Sequence, residues 1–373
     1  MKKDKKKKTR KNKKPLIPLF AKLLLLLALI SFAVLRIADS NPDFAEWVTA
    51  NLGYPVRRAL AALTDALPFS LGIALVVSSP VLLVLIIILA ARRRGTRSRI
   101  RFFMGTLAIL SLIYSSYVFT LGVGYQRAPL ASRLGIASAE VNRDSLAETL
   151  GILTEECESI IDGIAYADSG SSESDIGFDE ICDEILVGYE RLEADYPELN
   201  IKTFDSRAKP VVLSRVMTSL EISGVYTFFT GESNINVHYP DYVTPFTMAH
   251  ELAHQRGVAK EDEANFVAFL ACIRADSAYV KYSAYMNMFE YVASALSRTD
   301  KELFREIYQE ADGRMRGESA AFNEFYYAHK SELLSKISDF MNDNYLKASG
   351  TEGIISYGLV VRLCVAYYAD KAV

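Results

Sequence analysis

The chain has 373 residues, half of them hydrophobic, and a formal net charge of −3. That small total hides a split. Residues 1–124 hold 20 Lys+Arg against 5 Asp+Glu, or +15, which leaves 22 against 40, or −18, for residues 125–373. A basic, apolar first third joined to an acidic remainder is not the pattern of a nucleic-acid binder, and no nucleic-acid partner is expected.

The opening MKKDKKKKTRKNKK (1–14) has no apolar periodicity and reads as a solvated basic tail beside anionic lipid. PLIPLFAKLLLLLALISFAVLRI (15–37) can cross about 30 Å of hydrocarbon as a helix. Its apolar run exceeds the roughly 7–15 residues of a signal-peptide core, so it reads as a retained span. A second span is expected over 71–91, with Pro80 as a tolerated kink, and a third over 102–125. Between the last two lies RRRGTRSRIR, with six arginines and no acid. Basic tails and short basic loops stay in the cytoplasm. The N-terminus and the arginine loop are therefore predicted inside, with loop 38–70 and everything after 125 outside. The organisation expected is a cytoplasmic tail (1–14), a three-helix plasma-membrane domain (15–125) and an extracytoplasmic domain (126–373).

In that last domain, residues 136–196 repeat apolar positions at three and four and read as helices, interrupted by the polar tract ADSGSSESDIGFD. KPVVLSRVMTS and SGVYTFFTGESNINVHYP, within 209–239, are β-branched and aromatic and read as short strands. From 246 the helical pattern returns: FTMAHELAHQR, a long stretch from Glu261 to Ser297, and helices near 301–343 and 354–369. The domain is thus predicted as mainly helical α+β with a small sheet ahead of the HELAH helix. Cys157, Cys182, Cys272 and Cys364 form no C-x-x-C pair, so a thiolate zinc site is not expected. The spacing leaves a Cys157–Cys182 bridge open, while Cys272 and Cys364 read as core residues.

TMAHELAHQRGVAKEDEANF (247–266) carries the chemistry. His250 and His254, at i and i+4, share a helix face and can offer nitrogens to one metal ion. Glu251, beside that face, is the expected general base for water. A catalytic zinc needs a third protein ligand and keeps a fourth position open. Gly257 can turn the chain out of the helix, and Glu261 or Glu263 then follows. Glu261 is favoured as ligand because it shares a face with Asn265, which could orient a histidine by a hydrogen bond; Glu263 is the alternative ligand. The strands upstream could hold an extended peptide by a free sheet edge, or could simply be buried. Tyr345 and Tyr357 are candidate oxyanion donors. His238 reads as a surface or cleft residue, and His329 as a helix-surface residue with a transition-state role as the alternative.

AHELAHQRG, EDEANF and the three-span basic N-terminus together resemble a bacterial membrane family known as domain of unknown function 3810. The resemblance covers nearly the whole chain and implies a zincin-like fold of gluzincin type. More distantly, H-E-x-x-H with E-x-x-A-[D/N] resembles membrane zinc proteases of the CAAX-prenyl and heat-shock type. That likeness implies His250, His254 and Glu261 as ligands, Glu251 as base and Asn265 in the place of their usual Asp. The spacing from His254 to Glu261 is shorter than theirs. The expectation is a membrane-anchored zinc metallopeptidase with one zinc ion. It would act on extracytoplasmic or membrane-associated protein substrates in the cell envelope, with the lipid bilayer as its other partner. The alternative is an inactive zinc-binding sensory or scaffold membrane protein.

Overall fold

The computed structural model describes residues 15–137, 139–332, 336 and 357–371. The first third runs α1 (Leu19–Ala38), α2 (Pro42–Val48), one π turn (Thr49–Gly53), α3 (Tyr54–Asp65), α4 (Leu71–Arg92) and α5 (Thr96–Thr120). Helices α1, α4 and α5 are long and apolar enough to cross a membrane. Along α4, Val76, Val81, Leu83 and Ile87 are exposed on successive turns, a surface suited to lipid rather than water. Pro80 lies inside α4, as expected. Helix α5 starts six residues earlier than the apolar run suggests, taking Arg97, Arg99 and Arg101 into its first turns, and it gives way to a 3-10 turn at Gly122–Gln126. Loop 38–70 is itself helical. Asn41 caps α2 by accepting from Phe44 N at 3.0 Å, and α3 buries Arg57, Ala61 and Thr64 on one face.

The remainder contains α6 (Leu130–Leu134), α7 (Arg143–Ile161), α8 (Phe178–Asp195), α9 (Ser214–Ser219), α10 (Val243–Gln255), α11 (Glu261–Cys272), α12 (Ala278–Thr299), α13 (Lys301–Glu310), α14 (Gly313–His329) and α15 (Tyr357–Lys371). Helix α11 is buried on all sides from Asp262 to Cys272, which is why its sequence is apolar all round after the acidic first turn. Helices α8, α10, α12 and α15 pack around it. A two-stranded antiparallel hairpin pairs β1 (Ala165–Tyr166), just before the tract predicted as loop, with β2 (Ser172–Glu173), inside it. A three-stranded sheet has β3 (Lys209–Pro210), β4 (Gly224–Thr227) and β5 (Glu232–Ile235) in the order β3-β5-β4. Strands β3 and β5 are parallel, β4 and β5 antiparallel, with Tyr226 opposite Ser233.

Three expectations need correction. LSRVMTS is helix α9, not strand, because Ser214, Met217 and Thr218 are the buried positions and their spacing is helical. The stretch from Glu261 to Ser297 breaks at residues 273–277, where the Ser277 hydroxyl caps α12 by accepting from Val280 N at 3.3 Å. Cys157 and Cys182 are separate buried free thiols rather than a bridge, as are Cys272 and Cys364.

The apolar helices and the folded domain interlock. Glu232, at the start of β5, is buried and accepts from Leu71 N (3.0 Å), Gly72 N (2.7 Å) and Lys209 Nζ (2.9 Å). A carboxylate thus sits on the positive end of α4, where free N–H groups favour an anion. At the β4–β5 turn, Phe228 O accepts from Ser116 Oγ (3.0 Å) and Thr120 Oγ1 (3.2 Å), the last turn of α5.

Candidate metal centre

Helix α10 is held on several sides. Tyr189 Oη donates to Ala249 O at 2.6 Å, Ser233 Oγ to Glu251 O at 2.9 Å, and Gln255 Nε2 to Gly231 O at 2.8 Å. Its C-terminus closes in a Schellman turn, with Gly257 N donating to His254 O (2.9 Å) and Val258 N to Ala253 O (3.1 Å). Gly257 has φ +91°, which a side chain resists. The turn reverses the chain so that α11 begins with Glu261 facing the histidines.

His250 Nε2 and His254 Nε2 are 3.0 Å apart, and Glu261 Oε2 lies 3.1 Å from the first and 3.5 Å from the second. Ligands bound tetrahedrally to one zinc at about 2.0–2.1 Å stand about 3.3 Å from one another, so this donor set fits such an ion. Among the described residues this is the one group of three His, Cys, Asp or Glu side chains so arranged. Burial opposes charge on the His254 imidazole, yet Glu261 outweighs it and lifts its pKa to about 9. Burial likewise opposes ionisation of Glu261, but the two imidazoles hold its carboxyl far below the usual range. The cluster therefore holds a carboxylate that needs a positive partner, either a proton on His254 or a bound cation.

Glu263 is not at this site. It accepts from Leu130 N at 3.0 Å and pairs with Arg133 Nη2 at 2.7 Å, both partners buried, so it ties α6 to α11. Two residues along the helix place it about 200° away from Glu261 around α11. Nor does Asn265 orient an imidazole. His254 Nδ1 lies 2.7 Å from Val258 O, a carbonyl supplied by the Schellman turn, and His250 Nδ1 is buried with no hydrogen-bond partner. His238 and His329 pair with each other instead, ring centroids 5.0 Å apart, with His238 Nδ1 3.2 Å from Thr218 Oγ1. Tyr345 and the Tyr357 side chain lie outside the described residues.

Glu251 is 5% exposed, and burial raises its pKa against the pull of the two histidines. It lies against β4, the edge strand. Ser223 O accepts from Asn236 N, so by the alternation of an antiparallel ladder Gly224 and Tyr226 turn their backbone groups away from β5. Tyr226 bonds the Glu251 carboxylate through its backbone. A Cβ on Gly224 would stand 2.6 Å from Glu251 Oε1 and 2.7 Å from its Cγ, so only glycine lets the strand approach so closely.

The sequence reading missed Gly224 as a contact of Glu251, the Val258 carbonyl and Arg57. The fully buried Arg57 guanidinium donates to Thr49 O (3.2 Å), Thr120 O (3.4 Å) and Arg256 O (3.4 Å). Arg127, paired with Glu46 at 2.7 Å, donates to Gly257 O at 3.4 Å. Arg57 sits in loop 38–70, and nothing in the letters pointed it at a turn 199 residues away.

Fold and site together define a class of protein: three membrane-length apolar helices locked to a mostly helical domain whose H-E-x-x-H helix meets a glutamate from the next helix. Residues 51–365 match the family described as a protein of unknown function (DUF3810), and the chain belongs to that family. No curated protein and no solved structure matches it.

Proposed function

We propose that this protein is a membrane-anchored zinc metallopeptidase that hydrolyses peptide bonds of extracytoplasmic or membrane-associated proteins. One arrangement carries the reading: three ligand atoms 3.0–3.5 Å apart, with a buried glutamate beside them that an edge strand holds in place. His250, His254 and Glu261 hold the ion. A zinc ion there supplies a Lewis acid and a water of lowered pKa. Glu251 takes the proton of the attacking water and passes it to the leaving amine nitrogen. The outer edge of β4 holds the peptide extended across that carboxylate.

The membrane arrangement follows from charge and is supported by packing. The end of α5, the start of α4 and the segment after α1 all meet the folded domain. That packing supports placing residues 38–70 and the domain after Thr120 on one side. The arginine loop at 92–101 lies at the other end of α4 and α5, on the cytoplasmic side.

The test uses the full chain purified in detergent. About one equivalent of zinc is expected, lost in His250→Ala and Glu261→Gln but kept in Glu251→Gln, which loses peptide hydrolysis. A wild-type protein that binds no zinc sinks the reading. Zinc binding without hydrolysis leaves the inactive sensory or scaffold protein.

A further inference from the structure

We infer that the site cuts juxtamembrane segments, a few residues beyond the point where a substrate's own span leaves the bilayer. The inference rests on the peptidase reading and names its substrate class as membrane-spanning proteins with an extended stem. Three observations carry it.

The first is the level of the bilayer surface. Between α1 and α4 the chain forms short helices, and Trp47, Leu52 and Leu63 on them, with Phe69 in the segment before α4, are all large, hydrophobic and exposed. Trp47 is the single tryptophan of the chain. Such helices, with a tryptophan on the apolar side, lie in the headgroup plane. The opposite face of α3 carries buried Arg57, Ala61 and Thr64 against the folded domain.

The second is how little separates this layer from the metal ligands. Arg57, from the in-plane helix, reaches both the end of α5 at Thr120 O and Arg256 O, two residues after His254. With about 1.5 Å of rise per helical residue, the ligands sit within about 15 Å of the end of the third span. No stalk intervenes, since Leu121 and Tyr125 at the exit of α5 pack directly on Tyr226 of β4 and on Ala259 between the two ligand helices.

The third is the direction of the edge strand. β4 descends from Gly224, against Glu251, to Thr227, and the chain then reaches Phe228 on Tyr117 of α5 (ring centroids 5.5 Å). A peptide alongside β4 thus runs from the bilayer surface to the reacting carboxylate. At about 3.3 Å per residue, a stem emerging beside α5 presents its third to eighth residue, roughly, to Glu251.

The experiment places the full zinc-loaded chain in phosphatidylcholine–phosphatidylglycerol liposomes with a library of stem peptides in two forms. In one form each peptide is fused to a single synthetic leucine-rich span; in the other it is free in solution. Mass spectrometry maps the cut bonds, with Glu251→Gln as the blank. Cuts concentrated about three to eight residues from the span, at least 10-fold faster than in the free peptides, are expected. A spacer of about ten Gly/Ser residues should move the cuts into the spacer or slow them by a similar factor. Equal rates on free and anchored peptides, or cut positions indifferent to the spacer, overturn this inference and leave the peptidase standing. No cleavage of either form by a protein holding zinc overturns both.

Discussion

Gly257→Ala tests the link between the membrane-length helices and the proposed metal ligands at its narrowest point. The turn at Gly257 has φ +91°, a conformation costing an alanine about 1–2 kcal/mol. The new Cβ would also stand 2.7 Å from Arg57 Cζ and Nη2 and 2.9 Å from Nη1. Arg57 is fully buried among three carbonyls and has little room to withdraw. Losing one charged hydrogen bond there costs about 1.5–3 kcal/mol. Together the two effects predict a loss of about 4 kcal/mol in unfolding free energy. The same shift moves the Val258 carbonyl away from His254 Nδ1, and loss of such a contact lowers metal affinity about 10–100-fold. Denaturant unfolding in detergent reads the first number, and competition with a zinc chelator the second. Adding Arg57→Ala should recover the part due to the clash but not the part due to φ. A Gly257→Ala protein within about 1 kcal/mol of wild type, with unchanged zinc affinity, would refute the coupling of Arg57, turn and ligand.

Other substitutions probe separate parts of the argument. Gly224→Ala should displace the Glu251 carboxylate and lower peptide hydrolysis at least 100-fold while zinc content stays at about one equivalent; loss of zinc instead would mean that β4 supports the ligands rather than the base. Glu263→Gln leaves buried Arg133 without its counter-charge and should cost about 3–5 kcal/mol of stability, with zinc stoichiometry retained in the folded fraction; a stable protein that had lost its zinc would make Glu263 a ligand. Glu290, beside Tyr242 and Ser319, is pushed by burial to a pKa of about 7. Its folded form holds a proton that the unfolded chain releases from about pH 4.5, so stability should fall between about pH 4.5 and 7, by up to about 3 kcal/mol. Glu290→Gln should therefore be more stable than wild type at pH 8 and equal to it near pH 4.5; parallel stability–pH curves would show the carboxyl to be ionised throughout.

Much of this protein was legible from one dimension. The three apolar helices follow from apolar runs long enough to cross a bilayer, and Pro80 did not obscure the second because an apolar run is read by composition. His250, His254 and Glu251 follow from helical periodicity, since i and i+4 share a face in any helix. Short strands were harder: LSRVMTS is β-branched and apolar, and only its burial at three and four marks it as helix α9. The choice of Glu261 over Glu263 could be argued from the sequence but depended on the rotation of α11, which the Gly257 turn and the Glu263–Arg133 pair together set. Tertiary structure alone decided what surrounds Glu251 and the three candidate ligands. Gly224 reaches Glu251 across a sheet edge, Val258 offers its carbonyl through a turn, and Arg57 binds a carbonyl 199 residues further along the chain. Periodicity reports which face of an element is buried. It carries no information about which distant backbone group meets that face, because such partners are matched by packing and by the satisfaction of buried polar groups, neither of which has a spacing in sequence.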